Sequence, residues 1–195
     1  MKTTLRICFL VVIETIFCFT PLGTIPIGPI AATLSMVPVI IGSLIFGKKI
    51  GAILGFVFGL YSFIYWTFIM PTFPTAFIFT PFAEAAMYKG NLLSLVICFV
   101  PRILAGYVPS YVSDILKASN CEQVKSDMVA SLLGSLTNTI FVLLLILLFF
   151  GKEYSTVLER SLLTILGTTI ITNGIPEAIV CAIICPIVVK ILRYI

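Results

Sequence analysis

Six long apolar stretches divide the chain, at roughly 4–20, 30–46, 50–68, 92–116, 128–150 and 160–194. Prolines, glycines and charged loops separate them. A helix needs about 20 apolar residues to cross a hydrocarbon core of about 30 Å, so these stretches make the bilayer the expected solvent. The reading is an all-α integral membrane protein, a bundle of six transmembrane helices forming a single membrane domain over 1–195. Composition agrees, with 60% apolar and 10% charged residues and a mean hydropathy of +1.20. Soluble domains sit near 45–50% and about 25%. A cytosolic globule and a disordered chain are both excluded. The net charge of +4 is spread too thinly to point to nucleic acid.

The chain has no His, which removes the commonest general base and metal ligand. Five of its six Cys lie in apolar runs, without a CxxC pair, and read as small packing residues. No P-loop, paired-Asp helix or G-x-S-x-G is present. The expectation is a protein without catalytic residues, cofactor or metal.

Glu14 interrupts the first stretch and no A-x-A site follows, so 4–20 reads as a retained span, not a cleaved leader. Lys2, Arg6, Lys48, Lys49, Lys117, Lys125, Lys190 and Arg193 fall on one side of the six-span topology. Lys89, Lys152 and Arg160 fall on the other. Positive charge stays inside, so both termini are expected in the cytoplasm. The proline-rich connections 21–29 and 69–91 are then expected outside. The sixth stretch is too long for one simple span and should break or kink sharply near Thr172-Asn173-Gly174-Ile175-Pro176-Glu177, where Pro176 removes a backbone donor.

Polar groups at membrane depth carry the functional signal, because burying them unpaired is costly. Arg102 lies about ten residues into the fourth span, and a guanidinium does not shed its proton. It needs either a fixed partner, Glu14 or Glu177, or an anionic ligand. Asn138, with Ser135 one turn behind it, offers either interhelical hydrogen bonds or ligand contacts. Asn173 and Glu177, four apart, share a face in a near-helical turn. Gly51, Gly55 and Gly59 form a small-residue stripe that fits packing inside the bundle or against a partner. Tyr61, Tyr65, Trp66 and Phe68 read as an interfacial belt or as an aromatic wall over a ligand.

Phe19-Thr20-Pro21-Leu22-Gly23 and Ile25-Pro26-Ile27-Gly28-Pro29 resemble the first external loop of the substrate-binding (S) components of energy-coupling-factor (ECF) transporters. Pro38-Val39-Ile40-Ile41-Gly42, Gly47-Lys48, Gly51-Ala52 and Gly55 resemble their second and third helices. Val100-Pro101-Arg102-Ile103-Leu104, Gly134-Ser135-Leu136-Thr137-Asn138-Thr139 and Thr172-Asn173-Gly174-Ile175-Pro176-Glu177 are similar to the pantothenate-type branch.

The resemblance implies a six-helix protein that binds a vitamin near its outer face. It also implies partners: a transmembrane coupling protein and two ABC ATPases. Arg102 would take the pantothenate carboxylate, and Asn138, Asn173 and Glu177 its amide and hydroxyls. The 69–91 segment would act as a lid, with Thr80 and Asn91 as contacts. Family members often carry an Ala-xxx-Ala docking ridge on the first helix. Residues 4–20 contain no Ala, so Gly51, Gly55 and Gly59 become docking candidates. Another vitamin (folate, riboflavin or a cobalamin-like ligand), a stand-alone secondary carrier and a membrane enzyme are the alternatives.

Overall fold

The structure is a computed structural model that describes residues 2–27, 30–85 and 87–194. Gly28 and Pro29 of the first external motif lie outside the described residues. Six helical segments make the bundle. They are α1 (Lys2–Phe19), α2 (Met36–Phe46), α3 (Lys48–Ile64), α4 (Leu92–Ala118), α5 (Gln123–Val157), and a sixth built from α6 (Leu162–Thr169) and α7 (Ile175–Tyr194). Four of the six are long and apolar enough to cross a membrane: Lys48–Ile69, Leu92–Ala118, Gln123–Val157 and Leu162–Tyr194. The 18 residues of α1 include Lys2, Arg6 and Glu14.

Several boundaries differ from the sequence reading, each for a local reason. Residues 30–33 are not helical. They form β2 (Ile30–Thr33), which pairs antiparallel with β1 (Thr24–Ile27), Thr24 opposite Thr33. Pro26 has no N–H to give a helix, and β-branched Thr24, Ile25, Ile27, Ile30 and Thr33 favour a pleated ladder. The 11 residues left to α2 reach about 16 Å, well short of the hydrocarbon core. A second hairpin, β3 (Glu84–Ala85) and β4 (Tyr88–Lys89), lies inside 69–91. Helix α5 continues past residue 150 to Val157, and the expected end is a kink at Phe150 (φ −136°, ψ 20°).

The expected break near Pro176 is a π turn, Ile170–Gly174, that keeps α6 and α7 continuous. Pro176 cannot bond the carbonyl four residues back, and a π turn absorbs that mismatch without ending the helix. A second π turn, Tyr65–Ile69, extends α3. Between α2 and α3 the chain reverses at Gly47, whose φ of 87° suits glycine alone.

Exposed apolar stripes run along the bundle. Leu5, Phe9, Val12 and Ile16 mark α1, and Ile175, Ile179, Ile183, Ile187 and Ile191 mark α7. Such stripes suit acyl chains. Inside, Val39, Ile40, Leu54, Ala105, Cys181, Cys185 and Val189 form the main core. The glycine stripe of α3 faces inward. A Cβ at Gly51 would strike the Gly106 carbonyl, one at Gly55 the Arg102 carbonyl, and one at Gly59 the Phe99 ring. This stripe, expected as a docking candidate, is covered by α4.

Candidate functional site

The site is built on a defect in α4. Pro101 has no N–H, so the Ile97 carbonyl one turn back loses its helical donor. Arg102 folds back and donates from Nη1 to that carbonyl at 3.0 Å. Close approach of α3 at Gly55 fixes the Arg102 backbone. The guanidinium lies over the Phe58 ring at 5.8 Å and the Phe79 ring at 5.3 Å, within range for cation–aromatic attraction. Trp66 stacks on Phe79 at 5.4 Å and 17°. The residue is buried, and Nε has no hydrogen-bond partner. Glu177 acts on it electrostatically.

Facing α4, helix α5 carries two further orphaned polar atoms, Ser135 Oγ and Asn138 Oδ1. Gly134, next to Ser135, packs against Pro109 of α4, and Gly174 packs against Thr139 of α5. The π turn therefore approaches α5 one residue beyond Asn138. A deeply buried polar atom without a partner is rare in a folded protein. Arg102 Nε, Ser135 Oγ and Asn138 Oδ1, on the packed helices α4 and α5, are candidate contacts for a polar guest.

The other expected contacts divide. Asn173 is exposed within the π turn, and Glu177 is half-buried one turn further on, held by interactions of its own. Thr80 is fully buried but occupied. Its hydroxyl accepts from Thr67 Oγ1 at 2.8 Å and from the Phe82 N–H at 3.3 Å. Asn91 caps α4: its Oδ1 accepts from the Leu93 N–H at 2.8 Å, and the Ser94 hydroxyl accepts from the Asn91 N–H at 3.1 Å. Both hold the 69–91 segment in shape. That segment is a plug, with Ala76, Phe77 and Ile78 fully buried and Phe77 edge-on to Phe150 at 5.7 Å. Its Phe79 closes over Arg102.

Phe58 and Phe79 were invisible as site residues, since Phe is ordinary in so apolar a chain. Their signals are adjacency to the glycine stripe and to the plug. Two cavities flank this region. One, of about 160 Å³, lies between α1 and α3 and is lined by Cys18, Ser35, Phe58, Tyr61, Ser62, Tyr65 and Trp66. The other, of about 780 Å³, is an apolar groove of α1, α2 and α7, in which Arg6 is the one charged lining residue among the described residues. The groove offers little to a polar molecule, whereas the smaller cavity shares Phe58 with Arg102.

Membrane-length helices that bury a guanidinium among unpartnered polar atoms define a membrane protein with a candidate small-molecule site. The family model described as the substrate-specific component of ECF transporters matches residues 3–189, and the chain belongs to that family. The pantothenic acid transporter PanT of Lactococcus lactis subsp. cremoris is 41% identical over 153 residues, covering 78% of this chain and 72% of that protein. The 2.1 Å crystal structure of the S-component for biotin from an ECF-type ABC transporter superposes with a TM-score of 0.58 at 19% identity, over 100% of this chain and 92% of the other. At that identity the likeness is one of fold.

Proposed function

We propose that the chain binds pantothenate and is the ligand-binding subunit of an importer for it. The observation that carries this reading is the buried Arg102 guanidinium, whose Nε has no hydrogen-bond partner. A carboxylate seated there gains parallel charge-assisted hydrogen bonds. Asn138 and Ser135 supply groups for an amide and a hydroxyl, and Phe58 and Phe79 supply apolar faces for the ligand's methyl groups. The 41% identical pantothenic acid transporter supports the same ligand.

The chain itself is non-catalytic on this reading. Energy comes from a transmembrane coupling protein and two ABC ATPases, because the sequence has no nucleotide-binding motif. The protein sits in the cell membrane with both termini cytoplasmic. The clustering of Lys48, Lys117, Lys125 and Arg193 near the ends of helices at the terminal side supports this orientation. The plug then faces outward.

Thermal unfolding of the detergent-purified chain with a panel of pantothenate, biotin, riboflavin and folate tests the ligand. A ligand that binds only the folded state raises its melting temperature. Pantothenate alone is expected to raise it. A shift with riboflavin or folate and none with pantothenate replaces the ligand while keeping the class.

A further inference from the structure

Glu14 has no place in the account above. It sits in the middle of α1 with no exposed surface, and neither carboxyl oxygen has a hydrogen-bond partner. Burying a carboxyl unbonded costs several kcal/mol in either protonation state. A carboxyl that serves the fold looks different, as Asp127 in the same molecule shows. Asp127 is also buried, yet its oxygens accept from Ser113, Gln123 and Arg193.

Position says what Glu14 is for. Cys18 stands one turn further along the same face of α1 and lines the small cavity with Ser35, Phe58, Tyr61 and Trp66. Phe58, which lines the same cavity, also carries the Arg102 guanidinium over its ring at 5.8 Å. Next to Glu14, the Thr15 hydroxyl shares a 2.8 Å hydrogen bond with the Tyr61 hydroxyl, which pins α1 to α3 and fixes the inward direction of Glu14. Complete burial removes Glu14 from contact with lipid or a docked protein.

We propose that Glu14 is the second anchor of the binding pocket, taking the hydroxyl-bearing end of a ligand whose carboxylate is held at Arg102. The inference rests on the reading of the ligand given above. A hydroxyl suits either form of the group, since it donates to a carboxylate and accepts from a carboxylic acid. A second anionic group on the ligand would be repelled. Glu14 thus selects an elongated molecule with a carboxylate at one end and hydroxyls at the other. It is a specificity-determining residue.

The experiment is calorimetric binding to wild type, Glu14→Gln and Glu14→Leu. The two ligands are pantothenate and N-(3,3-dimethylbutanoyl)-β-alanine, which keeps the carboxylate and amide but lacks both hydroxyls. Glu14→Leu is expected to weaken pantothenate by about 10- to 100-fold and to leave the deoxy analogue within about threefold. Glu14→Gln, nearly the same shape, gives a smaller loss with the same ligand preference. The ligand-free melting temperature stays level or rises in Glu14→Leu, which removes an unsatisfied buried group, and stays level in Glu14→Gln, which keeps one. Equal weakening of both ligands, or of neither, overturns the inference while pantothenate binding by wild type keeps the function intact. Wild type that binds neither compound overturns both readings.

Discussion

The fold treats two of its buried ionisable residues, Asp127 and Arg102, in opposite ways. At the end carrying the termini, Asp127 of α5 is saturated. Its oxygens accept from Arg193 Nη1 at 2.5 Å, Ser113 Oγ at 3.0 Å and Gln123 Nε2 at 2.9 and 3.0 Å, with Lys117 Nζ at 3.9 Å. Arg193 also donates to the Leu44 carbonyl at 3.2 Å. One carboxylate thereby ties together the ends of α2, α4, α5 and α7. Toward the plug, Arg102 has a single carbonyl and two aromatic faces, and its Nε has no hydrogen-bond partner. A saturated charge fixes geometry, whereas an unsaturated one held at a cost is kept for what arrives later. The contrast separates structure from function among residues equally hidden from water.

Substitution of the two charges should give opposite results. Arg102→Ala is expected to lower pantothenate affinity by 100-fold or more, about 3 kcal/mol for charge-assisted hydrogen bonds lost to the carboxylate. Its ligand-free stability should fall by only about 1–2 kcal/mol, since the Ile97 carbonyl and the ring contacts are lost while a costly buried charge is removed. Isothermal calorimetry and unfolding on the same preparation measure both. Unchanged affinity removes the clamp. Arg102→Lys keeps charge without the planar fork and should recover only part of the loss.

Asp127→Asn is the mirror case. It leaves Arg193 and Lys117 without their carboxylate and should cost stability of about 3 kcal/mol, the low end for breaking a buried pair. The low end applies because the Arg193 side chain keeps 31% of its surface exposed. Ligand affinity should stay within about twofold of wild type, since no shared partner links the two clusters. A variant that melts normally but binds poorly would erase the distinction between the two charges.

Sequence made the first of these charges legible and hid most of its surroundings. Arg in an apolar span is rare and costly, so Arg102 stands out with no structure in hand. The same rule flags Glu14, but only coordinates show that it lacks a partner. Helical spacing says which residues share a face, not what lies opposite. Gly51, Gly55 and Gly59 were therefore readable as a ridge, while their cover, α4, was not. Residues 30–33 read as helix because Ile30, Ala31 and Ala32 continue an apolar run, and the run outweighed the turn chemistry of the prolines before it. The break near Pro176 was placed correctly and its form missed, since a π turn and a chain break have the same proline signature.

Thr80 and Asn91 make the hardest case, because a polar residue in a loop looks alike whether it binds the chain or a guest. The capping geometry of Asn91 decides between them. Its side chain accepts from Leu93, and Ser94 both receives the Asn91 N–H and donates to the Phe77 carbonyl at 2.7 Å. Asn91→Ala removes the first of these bonds. The expected loss is about 1 kcal/mol of stability, typical of an N-cap, with pantothenate affinity within about twofold of wild type. Asn91→Asp, which caps equally well, should restore the melting temperature. A tenfold affinity loss in Asn91→Ala that Asn91→Asp fails to rescue would return Asn91 to the ligand and extend the binding site beyond the plug.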